Sequence, residues 1–137
     1  MLVGGKHSQE IRFAIVLYGG VSLAIYINGV VQELLRLVRS TSGLPPRHPG
    51  NSEAVYRKLG CLLERGRLPD LQSDPGPNDE IKTKFMIDVI SGTSAGGING
   101  IYLAKALVGD SDITDVQNLW FDEGDIAKLL NVLEPAR

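Results

Sequence analysis

Cysteine and histidine are scarce in this chain, and both shortages narrow its chemistry. Among 137 residues there is one cysteine, Cys61, and there are two histidines, His7 and His48. A single thiol excludes an internal disulfide and any zinc site built on paired cysteines, so Cys61 reads as a packing residue on a helix. His7 falls in the amino-terminal tail and His48 in a proline-rich loop, and both read as surface residues. Net charge is also small, at -2, which gives no general attraction to nucleic acid or anionic lipid. Apolar runs are short: no stretch reaches the roughly 18 consecutive apolar residues of a membrane span, and residues 1–7 are too poor in them for a secretory signal. A cytoplasmic protein that meets lipid only peripherally, at a membrane surface, is the expectation. Neither Gly-x-Gly-x-x-Gly nor Gly-x-x-x-x-Gly-Lys-Ser/Thr occurs, which argues against a nucleotide-binding loop. Nothing calls for a metal or a cofactor, and there is no repeat or low-complexity tract.

What is present is an α/β pattern. Ile11 to Tyr18 reads as a first strand, apolar enough at its centre to be covered on both faces. Gly19-Gly20 ends it, and a helix follows from Ser22, its N-cap, to Ser40, expected to start buried and end exposed. Residues 41–83 form an insertion that holds six of the seven prolines. Its one helix, Ser52 to Arg65, carries Val55, Leu59, Leu62 and Leu63 as a core-facing stripe. The basic residues Arg57, Lys58, Arg65 and Arg67 read as a solvated face. A second strand spans Phe85 to Ile90 and a second long helix Gly97 to Val108. Asp110 and its neighbours stop that helix and cap a short one with Ile113, Val116 and the core residue Trp120 on one face. Asp125 to Leu133 reads as a last helix.

Between the second strand and its helix stands Gly92-Thr93-Ser94-Ala95-Gly96. A serine on a sharp strand-to-helix turn is held in strained dihedrals with its hydroxyl clear of the sheet, and glycines two residues either side let the chain pass close to itself. The helix behind it aims N–H groups at the same point, where they favour a developing oxyanion. Such a serine needs a base to take its proton. No histidine follows Ser94, so the order serine, acid, histidine of an ordinary hydrolase triad is excluded within these residues. Asp88, six residues earlier on an extended strand, lies about 20 Å away at roughly 3.3 Å per residue, and reads as a strand-edge or sheet-bottom polar contact.

Leu17-Tyr18-Gly19-Gly20-Val21-Ser22-Leu23-Ala24, then a helix, then Gly92-Thr93-Ser94-Ala95-Gly96-Gly97, resembles the front half of a patatin-like phospholipase domain, nearest its bacterial patatin-related branch. The resemblance covers Arg12 to Val108 apart from the insertion. It implies a three-layer α/β/α sandwich with a mostly parallel sheet, of which residues 1–137 are the amino-terminal, incomplete part. It also implies a lipid acyl hydrolase acting on phospholipid or another acyl-lipid ester without a cofactor. Ser94 would be the nucleophile, with Gly92, Thr93, Ala95 and Gly96 as its elbow and Gly19, Gly20 and Val21 framing the oxyanion hole. The family's base is an aspartate followed by glycine. None of the nine aspartates here precedes a glycine, so the dyad aspartate is expected beyond this chain. Val21 and Leu23 stand where many members have a third glycine and a basic residue, which removes a positive charge near the oxyanion. A non-catalytic lipid- or partner-binding module on the same fold and an acyltransferase are the alternatives.

Overall fold

A computed structural model of the chain describes residues 9–45, 47, 52–65 and 83–123. In order these form strand β1 (Gln9–Leu17), a 3-10 turn (Val21–Leu23), helix α1 (Ala24–Ser40), helix α2 (Ser52–Arg65), strand β2 (Thr83–Gly92), helix α3 (Ala95–Gly109) and helix α4 (Val116–Glu123). The two strands are hydrogen-bonded neighbours in one sheet and run parallel, so the fold is mixed α/β with the two expected strands adjacent. His7, His48, Arg67 and the helix expected over Asp125 to Leu133 lie outside the described residues. The chain divides into two compact units, Met1–Ile15 with Glu33–Val89, and Val16–Gln32 with Ile90–Arg137.

β1 departs from the expected double coverage. Arg12, Ala14 and Val16 are exposed, whereas Phe13 and Ile15 are half-buried and Leu17 is buried. This is the period-two signature of a strand covered on one face. It was masked in the sequence because Ala14 and Val16, on the exposed face, are themselves apolar.

In the first unit the Phe13 and Phe85 rings pack at 6.4 Å between centroids, and the Phe85 N–H donates to Thr41 Oγ1 at 2.9 Å. Arg12 Nη1 donates to both carboxylate oxygens of Asp88, at 3.0 and 3.1 Å, and Nη2 to Glu10 at 2.8 Å. Those two acids raise the Arg12 pKa, the hydrogen bond to Glu10 foremost. Asp88 is thus an ion-pair partner, the polar contact expected of it. Cys61 is buried, as a packing residue should be.

Two helices differ in part from expectation. α2 buries Glu53, Gly60 and Cys61, while Val55, Leu59 and Leu63 of the apolar stripe are exposed. α1 is two-faced at its start, with Ala24, Ile27, Asn28 and Val31 buried and Ile25, Tyr26 and Val30 exposed, and it is more fully covered toward its end, at Leu35, Arg39 and Ser40. The reason is polar: Arg39 faces Glu53 at 4.0 Å with both side chains buried. Tyr56 donates to Glu33 at 2.9 Å, and Arg36 is paired with the same carboxylate. Polar pairs between α1 and α2 therefore decide which faces meet.

Candidate active site

The second unit contains both glycine turns. β2 runs out at Gly92, and the ladder is extended by one bond, Thr93 N–H to Leu17 O at 3.1 Å. The chain then reverses into α3 through Ser94, whose φ of 51° and ψ of -129° lie outside the regions an L side chain favours. Among the described residues, Ser94 and Asp110 are the non-glycine positions with positive φ. Asp110, left-handed at φ 47°, closes the far end of α3 by donating its N–H to Ala106 O. At Ser94 the strain serves geometry, leaving the side chain exposed at the head of the helix.

The flanking glycines are required by space. A Cβ at Gly92 would stand 2.7 Å from the Gly96 carbonyl, and one at Gly96 would stand 2.3 Å from Leu17 O. Thr93 O accepts from Gly96 N–H at 2.9 Å and Gly97 N–H at 3.2 Å, and Ser94 O accepts from Ile98 N–H at 3.1 Å. The first helical N–H, that of Ala95, has no partner within α3.

The first turn packs on the second. A Cβ at Gly19 would be 2.6 Å from the Ser94 Cβ and 2.3 Å from Thr93 O, so no residue with a side chain fits there. The Gly19 N–H donates to Thr93 Oγ1 at 3.2 Å. Gly19 thus supplies clearance between the two turns, and its N–H is engaged by the Thr93 hydroxyl. Gly20, at φ 149°, opens the 3-10 turn as its N-cap in place of Ser22, because Gly20 O accepts the Leu23 N–H at 3.1 Å. Among the described residues the N–H groups of Gly20 and Val21 have no hydrogen-bond partner, which leaves them, with Ala95, as donors. No side chain among the described residues hydrogen-bonds the Ser94 hydroxyl. None forms a cluster of three or more His, Cys, Asp or Glu that could hold a metal ion.

Behind the turns lies a buried amide network that nothing in the sequence pattern singled out. Asn99 Nδ2 donates to Ala24 O at 3.3 Å and Ala95 O at 3.0 Å, and its Oδ1 accepts from Asn28 Nδ2 and Trp120 Nε1, both at 3.1 Å. Asn28 Oδ1 in turn accepts from Gln32 Nε2 at 2.8 Å. Trp120 is thus a hydrogen-bond donor as well as a packing residue. The one available signal was an amide interrupting each apolar helix, since buried polar groups must be paired.

Residues 13–32 carry no charged side chain, and beside the turns Tyr18 is 77% and Val21 52% exposed. The 3-10 turn and α1 together, Val21–Ser40, make a 20-residue helix of mean hydropathy 1.4, long and apolar enough to cross a membrane by length and composition, with 33% of that window buried inside the protein. This qualifies the expectation that no stretch has membrane-spanning character. The average is apolar although Asn28, Gln32 and Glu33 interrupt the run.

No family model matches the chain, and no solved structure matches it. The chain is similar to the Mycobacterium tuberculosis protein named "Uncharacterized membrane protein Rv3479", at 36% identity over 125 residues, which is 90% of this chain and 11% of that protein. The chain therefore spans about a ninth of the length of the curated relative it matches.

Proposed function

We propose that these residues form the nucleophile and oxyanion part of a serine acyl hydrolase of the patatin-like kind, within a three-layer α/β/α sandwich, acting on phospholipid or another acyl-lipid ester. One observation carries the reading: Gly19 lies against Ser94 so closely that a Cβ would overlap it at 2.6 Å. That contact packs the first glycine turn directly against a serine held at positive φ, which supports reading the two turns as one site.

In this scheme Ser94 Oγ adds to the ester carbonyl, and the charge that develops on the carbonyl oxygen is taken by the N–H groups of Gly20, Val21 and Ala95. The alcohol leaves with a proton, the acyl group stays on Ser94, and water releases the fatty acid. The proton acceptor is an aspartate outside residues 1–137, held there by analogy with the family's dyad. The uncharged rim of Tyr18 and Val21, and the name of the relative, support contact with a membrane, where such substrates reside. With full-length protein, fatty acid release from phospholipid vesicles should be abolished by Ser94→Ala; turnover that survives this change refutes the mechanism. Acyl products formed with added alcohols would identify an acyltransferase instead. The Ser94 hydroxyl, contacted by no base among the described residues, favours a binding module as the second reading, which predicts vesicle binding without product.

A further inference from the structure

We infer that Asn99 is a positioning residue that fixes the separation of the oxyanion donors, a role that rests on the hydrolase reading of Ser94. Its Nδ2 joins two carbonyls, Ala24 O at 3.3 Å and Ala95 O at 3.0 Å. Ala24 closes the 3-10 turn, its own N–H bonded to Val21 O. Ala95 follows the nucleophile. One amide therefore ties the end of the first turn to the start of the elbow helix, and the three donor groups of Gly20, Val21 and Ala95 sit on either side of that tie.

The amide cannot turn over without loss. Asn28 Nδ2 and Trp120 Nε1 both donate to Oδ1 at 3.1 Å, so a flip would set donors against donors and leave two carbonyls facing an oxygen. Asn99 is fully buried, and in a dry interior such mispairing is expensive. A leucine would fill the same space between helices without specifying their offset. The amide does specify it, and an offset error of about 1 Å at an oxyanion site costs on the order of 100-fold in rate.

The test measures kcat and KM of the full-length protein on a soluble acyl ester for wild type, Asn99→Asp, Trp120→Phe and Ser94→Ala, with thermal unfolding of each. Asn99→Asp keeps the size but turns an oxygen toward two carbonyls; kcat should fall about 100-fold while KM stays within about twofold. Trp120→Phe keeps an aromatic ring on the same face, gives up part of the packing, and removes one of the two donors that orient the amide. It should unfold cooperatively near the wild-type temperature and lose about tenfold in kcat. A folded Trp120→Phe with unchanged kcat, or a folded Asn99→Asp with unchanged kcat, overturns the role while leaving the hydrolase reading intact. Wild-type protein with no Ser94-dependent turnover overturns both.

Discussion

Gly96→Ala perturbs the elbow at one atom, and the structure gives the size of the conflict. The new Cβ would meet Leu17 O at 2.3 Å and Leu17 C at 2.8 Å. A carbon and a carbonyl oxygen rest at about 3.3–3.6 Å, so the helix start and the end of β1 must separate by about 1 Å. Both atoms are backbone and cannot swing aside. Leu17 O is also the acceptor for Thr93 N–H at 3.1 Å, and losing that bond adds about 1 kcal/mol to an overpacking cost of about 1–3 kcal/mol. The expected destabilisation is about 3 kcal/mol. Two other glycines calibrate the assay. A Cβ at Gly97 approaches Gly92 O at 3.3 Å, and one at Gly29 in α1 meets nothing within 4 Å. Gly97→Ala should be near neutral, and Gly29→Ala should stabilise by about 0.5–1 kcal/mol through helix propensity. Denaturant unfolding followed by the fluorescence of Trp120 gives the order. Gly96→Ala within about 0.5 kcal/mol of wild type would refute the backbone crossing.

Thr93→Val keeps the shape and removes the acceptor for Gly19 N–H, so it should cost about 1 kcal/mol in the same assay, and no change would show that the bond contributes nothing. Glu33 is subject to burial, which raises its pKa, but Ser52, Tyr56 and Arg36 outweigh that and hold it below its ordinary 4.5. A depressed carboxylate contributes stability above its unfolded pKa that is lost as pH falls through the folded value. Glu33→Gln should therefore flatten the stability profile below pH 4.5, by under about 1 kcal/mol because the group is partly solvated. An unchanged slope would remove Glu33 from the acid response. Glu53→Ala strips a buried partner from Arg39 and should cost about 3 kcal/mol, more than Val55→Ala on the exposed stripe; equal losses would contradict the reversed helix face.

Parts of this molecule were written locally and parts were not. The strand, elbow and helix around Ser94 depend on neighbours in sequence: a β-branched run, glycines at fixed spacing and a helical pattern. β1 was legible for the same reason. Faces were not. The stripe of Val55, Leu59 and Leu63 states what α2 could bury, while Arg39 and Glu53 decided what it does bury. Ser22 suits a cap by residue type, but Gly20, at φ 149°, lets the chain turn two residues earlier. The Thr93 hydroxyl that accepts from the Gly19 N–H is 74 residues away, so that pairing is invisible to local pattern. The Asn28–Asn99 pair is separated by 71 residues, so neither amide could be weighed before the helices were brought together.

The most direct measurement is covalent capture. Full-length protein treated with a fluorophosphonate, digested and mapped by mass spectrometry should carry one adduct on Ser94, and Ser94→Ala should carry none. Labelling spread over other serines, or a folded and active protein whose Ser94 stays unmodified, would contradict the assignment of the nucleophile to this elbow.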